Sequence, residues 1–446
     1  MYKSSLALAV ALGVLAQQAG AAGFVEDSKL SVSSRTMYFN NDNRAGGADN
    51  RESGQGFKLD YISGFTDGTV GFGVDAQALW GIHLDGGRGK HPNSSTFFPS
   101  ETNGSAVDQW SRFGANAKAR FSKTEAHFGS ALAPMLPILV SNDGRLLPQT
   151  FEGGTITSKE IDNLTINAGQ LTHAMGRASS NRTGLSVSGA TADSNKFRYG
   201  GLDYKLTPDL TLQYYYSNLE DFYKQHFLGA THVFKISDDQ SFKTDLRYFD
   251  SSSDGKNGDG GGYNFDNNKG YAKHAGEVDN KTWSAMFTYT LGGHAFLLGH
   301  QRVSDDGAFV WLNQGSVVDG NGRAEGAGGS SFYLFTDSMI NQFARAGENT
   351  TFGQYSYDFA RLGVPGLKAS VSYLRGTDVR YASGHGTYSE WERDARVDYV
   401  IQEGALKGLG FSLRQGVYRG TNGSTNEFTK DTDQTRFIVN YTYNFL

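Results

Sequence analysis

The sequence predicts an all-β chain: a transmembrane antiparallel β-barrel of about eighteen strands whose third long loop folds inward and constricts the lumen. Three observations carry that prediction. Segments of roughly ten residues alternate apolar and polar side chains with a period of two, the repeat of a strand that faces lipid on one side. Short turns alternate with long polar connections along the whole chain. The chain ends in alternating aromatics, Tyr441, Tyr443 and Phe445, followed by Leu446. Composition agrees, because 58 glycines against 7 prolines suit many turns and bends in a sheet-rich protein.

Taken from the N-terminus, Met1 to Ala22 has the build of a secretory signal, with Lys3 before an apolar run from Leu6 to Leu15 and small residues from Ala19 to Ala22. The run is too short to span a bilayer as a retained anchor. No later stretch is continuously apolar over a spanning length, so any crossing must be made by strands. Residues 23–446 show no linker-like break in composition and are expected to form a single barrel. The absence of cysteine excludes a disulfide framework and thiol catalysis. The formal net charge of −5, one unit more negative once Lys3 is lost, argues against a nucleic-acid partner.

The alternation is clearest in three places. Val70, Phe72, Val74, Ala76 and Ala78 interleave with Gly71, Gly73, Asp75 and Gln77. Phe113, Ala115, Ala117, Ala119 and Phe121 interleave with Gly114, Asn116, Lys118 and Arg120. Phe437, Val439, Tyr441, Tyr443 and Phe445 interleave with Ile438, Asn440, Thr442 and Asn444. Alternation alone would also suit a soluble sandwich, and the connections decide between the two. Short turns are expected at Thr66 to Thr69, Ser122 to Thr124, Asp162-Asn163, Thr207 to Asp209, Ser237 to Gln240, Gly292 to His294, Gly363 to Gly366 and Glu403 to Leu406. Long connections are expected at Asn41 to Ser53, Ile82 to Gln109, Ala131 to Gly154, Ala174 to Asn195, Leu219 to Gln225, Ser251 to Asn280, Asp305 to Asn349, Asp378 to Glu392 and Thr421 to Asp433. Short turns on one rim and long loops on the other are the outer-membrane pattern, with both chain ends on the short-turn side.

The third of these connections differs from the rest. It carries Pro134, Pro137 and Pro148, and proline cannot donate to a sheet ladder, so it is not a central strand. It is nevertheless rich in Met135, Leu136, Ile138, Leu139, Val140, Leu146 and Leu147, clustered around a hydrophilic tip of Ser141, Asn142, Asp143, Gly144 and Arg145. A loop that apolar must pack against something. Residues 131–150 are therefore expected inside the barrel, presenting Arg145 to whatever passes.

These residues also carry a family resemblance. The chain resembles the OprD family of substrate-specific outer-membrane porins in five segments taken in order: GFTDGTVGFGVDA from Gly64 to Ala76, NDGRLLPQTFEGG from Asn142 to Gly154, LEDFYKQHFL from Leu219 to Leu228, RLGVPGL from Arg361 to Leu367 and YVIQEGALKGLGFSLRQ from Tyr399 to Gln415. The resemblance implies an eighteen-stranded barrel in the bacterial outer membrane, passive uptake of small, mostly carboxylate-bearing nutrients, and an inward third loop that maps onto Ala131 to Thr150. The wording RLLPQTFEGG is most similar to the branch that takes aromatic and related monocarboxylates such as benzoate or vanillate. It further implies a monomer or loose trimer among outer-membrane lipid and lipopolysaccharide, with no cofactor.

If the apolar parity faces lipid, strict alternation sends the other parity to the lumen. That places Arg35, Arg112, Lys118, Arg120, Lys243, Arg247, Arg396, Arg414 and Arg436 inside, with Arg145 on the loop. The family resemblance implies that they form a ladder for carboxylates, each fixed charge replacing part of the anion's hydration in turn. Arginine suits this because its planar fork takes a carboxylate by two hydrogen bonds. For any single residue the plainer reading is pairing with a wall carboxylate, such as Asp245 beside Lys243 and Arg247, or Asp394 and Asp398 around Arg396. Tyr199, Tyr214, Tyr216, Tyr248, Tyr289, Tyr355, Tyr357, Tyr441 and Tyr443 are read as interfacial girdle residues.

Other chemistry finds little support. No histidine pair has metal spacing, Gly184 to Ser188 falls one glycine short of a nucleophile elbow, and the glycines from Gly258 to Gly262 make one irregular copy of a calcium-binding repeat. The expected function is a passive porin for small carboxylates, with a porin for basic amino acids or small peptides as the alternative. A barrel enzyme would need a Ser/His or Asp/His set at one rim, and a purely structural barrel would have no use for an arginine-rich lumen.

Overall fold

A computed structural model describes residues 23–446 apart from 45, 47, 87–88, 93–94, 313–328 and 421–429. The expected secretory segment lies outside the described residues. The strands are β1 (Lys29–Asn43), β2 (Asn50–Ile62), β3 (Val70–Asp85), β4 (Gln109–Phe121), β5 (Thr124–Leu132), the short β6 (Met135–Leu136) and β7 (Leu139–Val140), then β8 (Thr150–Ser158), β9 (Leu164–Met175), β10 (Phe197–Thr207), β11 (Leu210–Leu219), β12 (Tyr223–Lys235), β13 (Gln240–Ser253), β14 (Asp279–Leu291), β15 (His294–Val303), β16 (Asn349–Asp358), β17 (Leu367–Arg380), β18 (Thr387–Val400), β19 (Gly410–Gly420) and β20 (Thr432–Asn444). Two 3₁₀ turns, at Asn267–Lys269 and Phe359–Leu362, are the helical segments among the described residues.

All strands except β6 and β7 join one 18-stranded antiparallel sheet. The sheet closes where β1 pairs β20, from Ser31 opposite Asn444 to Asn43 opposite Thr432. Closure pairs every strand on both sides, which is what a sheet needs where no water can satisfy an edge. The lipid face carries the expected parity: Phe72, Phe113, Phe121, Phe128, Leu298, Leu413, Phe437 and Tyr443 all stand exposed on the outer wall. A band of exposed apolar side chains is stable only in hydrocarbon.

The eight short turns fall where expected, and so does the strand count. Three of the connections expected to be long are short. Asn41 to Ser53 contracts to residues 44–49, because β1 runs to Asn43 and β2 begins at Asn50. Leu219 to Gln225 contracts to a three-residue turn, residues 220–222, in which Asp221 takes a left-handed φ of 68°. Asp378 to Glu392 contracts to residues 381–386 because β17 and β18 extend upward through their polar ends, past a register irregularity between Gly376 and Val379. Polar residues at a rim read as loop in sequence, yet a barrel strand continues above the lipid as long as its ladder is paired. Tyr199 also departs from expectation, since it points inward and is buried beside Phe197 rather than at the interface.

The lumen on the long-loop side is filled by several inward segments. Ile138 and Leu139 enter a large apolar cluster with the wall residues Phe151, Leu171, Phe197, Tyr215, Phe227 and Phe249. The same cluster holds Phe309, Trp311, Phe332 and Leu334 from the connection between β15 and β16. That connection, expected to be an external polar loop, is thus a second inward loop. Phe97 and Phe98, from the β3–β4 connection, join Leu146, Leu147, Met37, Phe39 and Ile438 in another cluster.

Candidate functional site at the lumenal constriction

The constriction loop, residues 133–149, folds as a hairpin on two apolar feet. Met135 pairs Val140 and Leu136 pairs Leu139, and the Ser141 amide closes the hairpin onto the Pro134 carbonyl at 2.8 Å. Ile138 and Leu139 grip one wall, while Leu146 and Leu147 grip the opposite cluster. The second foot sits against Gly54 and Gly56 of β2, where an added Cβ would meet Leu146 or Leu147 at 3.0 Å or less. Glycine here flattens the wall so that the loop backbone can lie on it. Met135 is an exception to the expected apolar packing, being 72% exposed.

The hydrophilic tip is tied down by charged and polar partners. Arg35 on β1 forms an ion pair with Asp143 at 2.7 Å and donates to the Arg145 carbonyl at 2.7 Å. Arg112 on β4 is buried and donates to the carbonyls of Pro148, Gly176 and Ser179, clamping the constriction loop to the β9–β10 connection. Asn142 accepts from the Gly144 amide at 2.9 Å and from Arg177 at 3.0 Å, and donates to the Gly329 carbonyl at 3.2 Å. The constriction is therefore shared, because Val140 also bridges to Ser331 of the second inward loop.

That second loop is held by carboxylates spaced along β18. Glu392 accepts from the amides of Ile340 and Asn341 at 2.9 and 2.8 Å. Glu390 pairs with Arg345 at 2.8 Å and accepts from the Tyr418 hydroxyl at 2.6 Å. Asp394 accepts from Ser338 at 2.6 Å. Alternate residues on one strand share a face, which is why three acidic side chains two apart all reach the same loop.

Between these loops and the β16–β20 wall lies a cavity of about 1340 Å³. Arg145, Arg177, Arg396, Arg414 and Arg436 line it, as do Asp337, Asp394, Asp398, Trp311 and Phe332. Arg396 lies directly across from Arg414, and Arg414 directly across from Arg436, so three arginines occupy one row of adjacent strands. Arg396 is paired with Asp398 at 2.5 Å. Arg414 donates to Ser412 at 3.0 Å, and Arg436 donates to Gln434 and the Met339 carbonyl, both at 2.7 Å. Arg145 donates to Thr96 at 3.1 Å and rests 4.9 Å from the Phe39 ring centroid. Arg145, Arg177, Arg414 and Arg436 form no ion pair among the described residues. Burial and the Arg177 charge both push the Arg145 guanidinium pKa down, and burial and Arg436 do the same to Arg177. The shifts reach about 9 for Arg145 and about 10 for Arg177, both still above neutral pH, so both arginines keep their charge there and can attract an anion.

The remaining expected site residues stand apart from this cavity. Lys118 is buried against Asp75 at 2.7 Å and the Ser63 carbonyl, near the short-turn mouth. Arg120 stacks over Phe65 at 4.3 Å beside it. Asp245 holds Lys243 at 3.3 Å and Arg247 at 2.8 Å, and Arg247 also lies 3.7 Å from the Tyr333 ring centroid. Here the wall-pairing reading describes the geometry. Arg177 and Asp337 went unseen in the sequence because both sit in connections expected to be external. The apolar runs Ala308 to Leu312 and Phe332 to Phe335 carried the same signal that marked the constriction loop.

An eighteen-stranded closed barrel with an apolar outer band and a lumen narrowed by charged inward loops defines a selective outer-membrane channel. The comparisons give the particular family: residues 22–445 match the model described as outer membrane porin, OprD family, and the chain belongs to that family. Porin D of Pseudomonas aeruginosa is 34% identical over 99% of this chain and 96% of its own length. The porin-like protein GalP of Pseudomonas putida is 33% identical over 96% and 95%. Among solved structures, OccK8 (OprE) of Pseudomonas aeruginosa superposes with a TM-score of 0.83 at 46% identity, covering 95% of this chain and all of that one. OpdK of Pseudomonas aeruginosa, solved with vanillate, gives 0.80 at 32% identity with the same coverage of this chain. The chain is thus a substrate-specific porin of the bacterial outer membrane, and the relatives it matches are channels rather than enzymes.

Proposed function

We propose that this porin passes small carboxylates, aromatic monocarboxylates among them, down their gradients through the cavity between the two inward loops. The observation that carries the reading is the row Arg396, Arg414 and Arg436 facing Arg145 and Arg177, in which only Arg396 has a carboxylate partner among the described residues. Guanidiniums about one strand spacing apart, ~4.8 Å, repel unless an anion lies between them. A permeating carboxylate meets that need and moves on by exchanging one fork for the next. Trp311 and Phe332, tilted against each other with ring centroids 4.8 Å apart and lining the same cavity, offer an apolar surface for a ring. Vanillate in the related OpdK structure supports the aromatic class.

Arg35 and Arg112 hold the constriction loop, while Lys118, Lys243 and Arg247 are paired with the wall carboxylates Asp75 and Asp245 and Arg120 lies over Phe65, away from the cavity. The loop residues Pro134, Pro137, Asn142, Asp143 and Pro148 set its shape. A second reading, a porin for basic amino acids or small peptides, draws on Asp337 and on Asp394, one of whose carboxylate oxygens has no hydrogen-bond partner among the described residues, in the same cavity. Liposome swelling separates the two. Faster entry of benzoate than of arginine and of a neutral solute of equal size supports the carboxylate reading, and faster entry of arginine overturns it.

A further inference from the structure

Arg375 and Arg393 face outward, away from the lumen and its loops. Outward-facing parity on β17 runs through Val371 and Tyr373 to Arg375, and on β18 through Val397 to Arg393 and Trp391. Val371 and Val397 are exposed on the apolar band, so the arginines above them lie on the lipid face as well. Register makes the four upper residues a compact patch: Tyr373 lies opposite Arg393, and Arg375 opposite Trp391. The two rings stack at 5.9 Å between centroids. On one face of an antiparallel pair, diagonal positions are ~7–8 Å apart, a separation that two guanidinium forks can close around one phosphate.

Position in the membrane sharpens the problem. Arg375 is on the order of 27 Å along β17 from Leu367 at ~3.4 Å per residue, or about 20 Å up the wall with the strand tilted ~40°. That is the upper part, on the long-loop and hence external side, of an apolar band ~25 Å tall. Both side chains are exposed, and neither has a hydrogen bond or ion pair among the described residues. The nearby acidic groups have other partners: Asp433 holds Arg44 and Arg419, Asp378 accepts from Asn349 and Thr377, and Asp305 faces Arg302 and Arg380. A cation on the lipid face is costly unless it reaches the headgroup level and meets an anion there. Zwitterionic headgroups carry no net charge to supply.

We propose that Tyr373, Arg375, Trp391 and Arg393 form a docking site for the phosphorylated sugar headgroup of an outer-leaflet glycolipid of the lipopolysaccharide type. The arginines take the phosphate by charge-assisted hydrogen bonds, and the stacked rings lie against the sugar and the upper acyl chain, an amphipathic role typical of interfacial aromatics. The site is independent of the substrate that crosses the lumen.

The test uses the full barrel in phosphocholine nanodiscs, titrated with lipid A and read by native mass spectrometry. Wild type is expected to bind lipid A above the phosphocholine background, with inorganic phosphate failing to compete at equal concentration. Arg375→Ala with Arg393→Ala should weaken binding about thirtyfold, from the usual increment per basic residue at an anionic surface. The single changes Arg375→Gln and Arg393→Gln should each weaken it about fivefold and give a readout if the double variant fails to assemble. Lys235→Ala, at the opposite rim, should change nothing. Unchanged lipid A binding in folded, heat-modifiable arginine variants, equal loss in Lys235→Ala, or full displacement by inorganic phosphate would each overturn the proposal.

Discussion

Removing Arg145 and Arg414 together should cost the channel its preference for carboxylates without changing its bore. Both side chains line the cavity, Arg414 from the middle of the wall row that Arg396 and Arg436 flank and Arg145 from the constriction loop. Neither is ion-paired among the described residues, so their removal strands no buried carboxylate. A unit charge ~4 Å from a carboxylate is worth about 1 kcal/mol in bulk water and about 4 kcal/mol at an effective dielectric of 20. The cavity is wide enough to hold water, and Arg177 and Arg436 remain, which places the net loss for the pair toward the lower figure, about 1–2 kcal/mol, or roughly five- to thirtyfold. The assay is liposome swelling with benzoate beside a neutral solute of similar size. Benzoate entry should fall by that factor while the neutral solute enters as before. The difference should shrink in high salt, because the Debye length drops from ~10 Å at 0.1 M to ~3 Å at 1 M. Equal slowing of both solutes would mean that the arginines merely brace the wall, and the ladder would have to be withdrawn.

Three further outcomes follow from the same geometry. Deleting Leu136 to Leu146 removes the first apolar foot, Leu146 of the second and the Asp143 partner of Arg35, so single-channel conductance should rise and solute preference blur in an intact barrel; an unchanged current would show that the loop does not set the bore. Glu392→Ala leaves the amides of Ile340 and Asn341 buried without their acceptor, a cost of about 1–3 kcal/mol each, and should make residues 330–348 newly open to protease and the current noisier, whereas a wild-type digestion pattern would remove Glu392 from the latch. Burial holds the Asp337 carboxyl above its ordinary range; it is charged above that raised pKa and neutral below it, so anion preference should increase as the pH falls through it, and Asp337→Asn should flatten the response, while an equal response in Asp337→Asn would assign it to another group.

The barrel was legible because its physics is local. Alternation such as Val70, Phe72 and Val74 against Gly71 and Gly73 sets which face meets lipid, and turn residues such as Thr207-Pro208-Asp209 mark where the chain reverses. The constriction loop was legible for a different reason: three prolines excluded a strand while six buried or half-buried apolar residues demanded a partner. What stayed hidden depends on long-range placement. Ala308 to Leu312 and Phe332 to Phe335 are as apolar as the constriction loop, but they are separated by a polar stretch that made the whole connection read as external. Arg177 looks like any loop cation until Asn142, more than thirty residues earlier in sequence, is seen to accept from it. Parity assigned the basic residues to one face of the wall, yet it could not distinguish Arg247, which Asp245 neutralises, from Arg414, which no described carboxylate does. Charge pairing across strands depends on register, and register is fixed by the closed sheet as a whole.

The central claim is that the lumen selects for carboxylate anions, and the reversal potential of the wild-type channel in a planar bilayer under a steep gradient of sodium benzoate tests it most directly. The arginine row predicts a reversal potential of the sign set by benzoate, abolished in the Arg145→Ala and Arg414→Ala double variant. A reversal potential of the sign set by sodium in the wild-type channel would contradict the account.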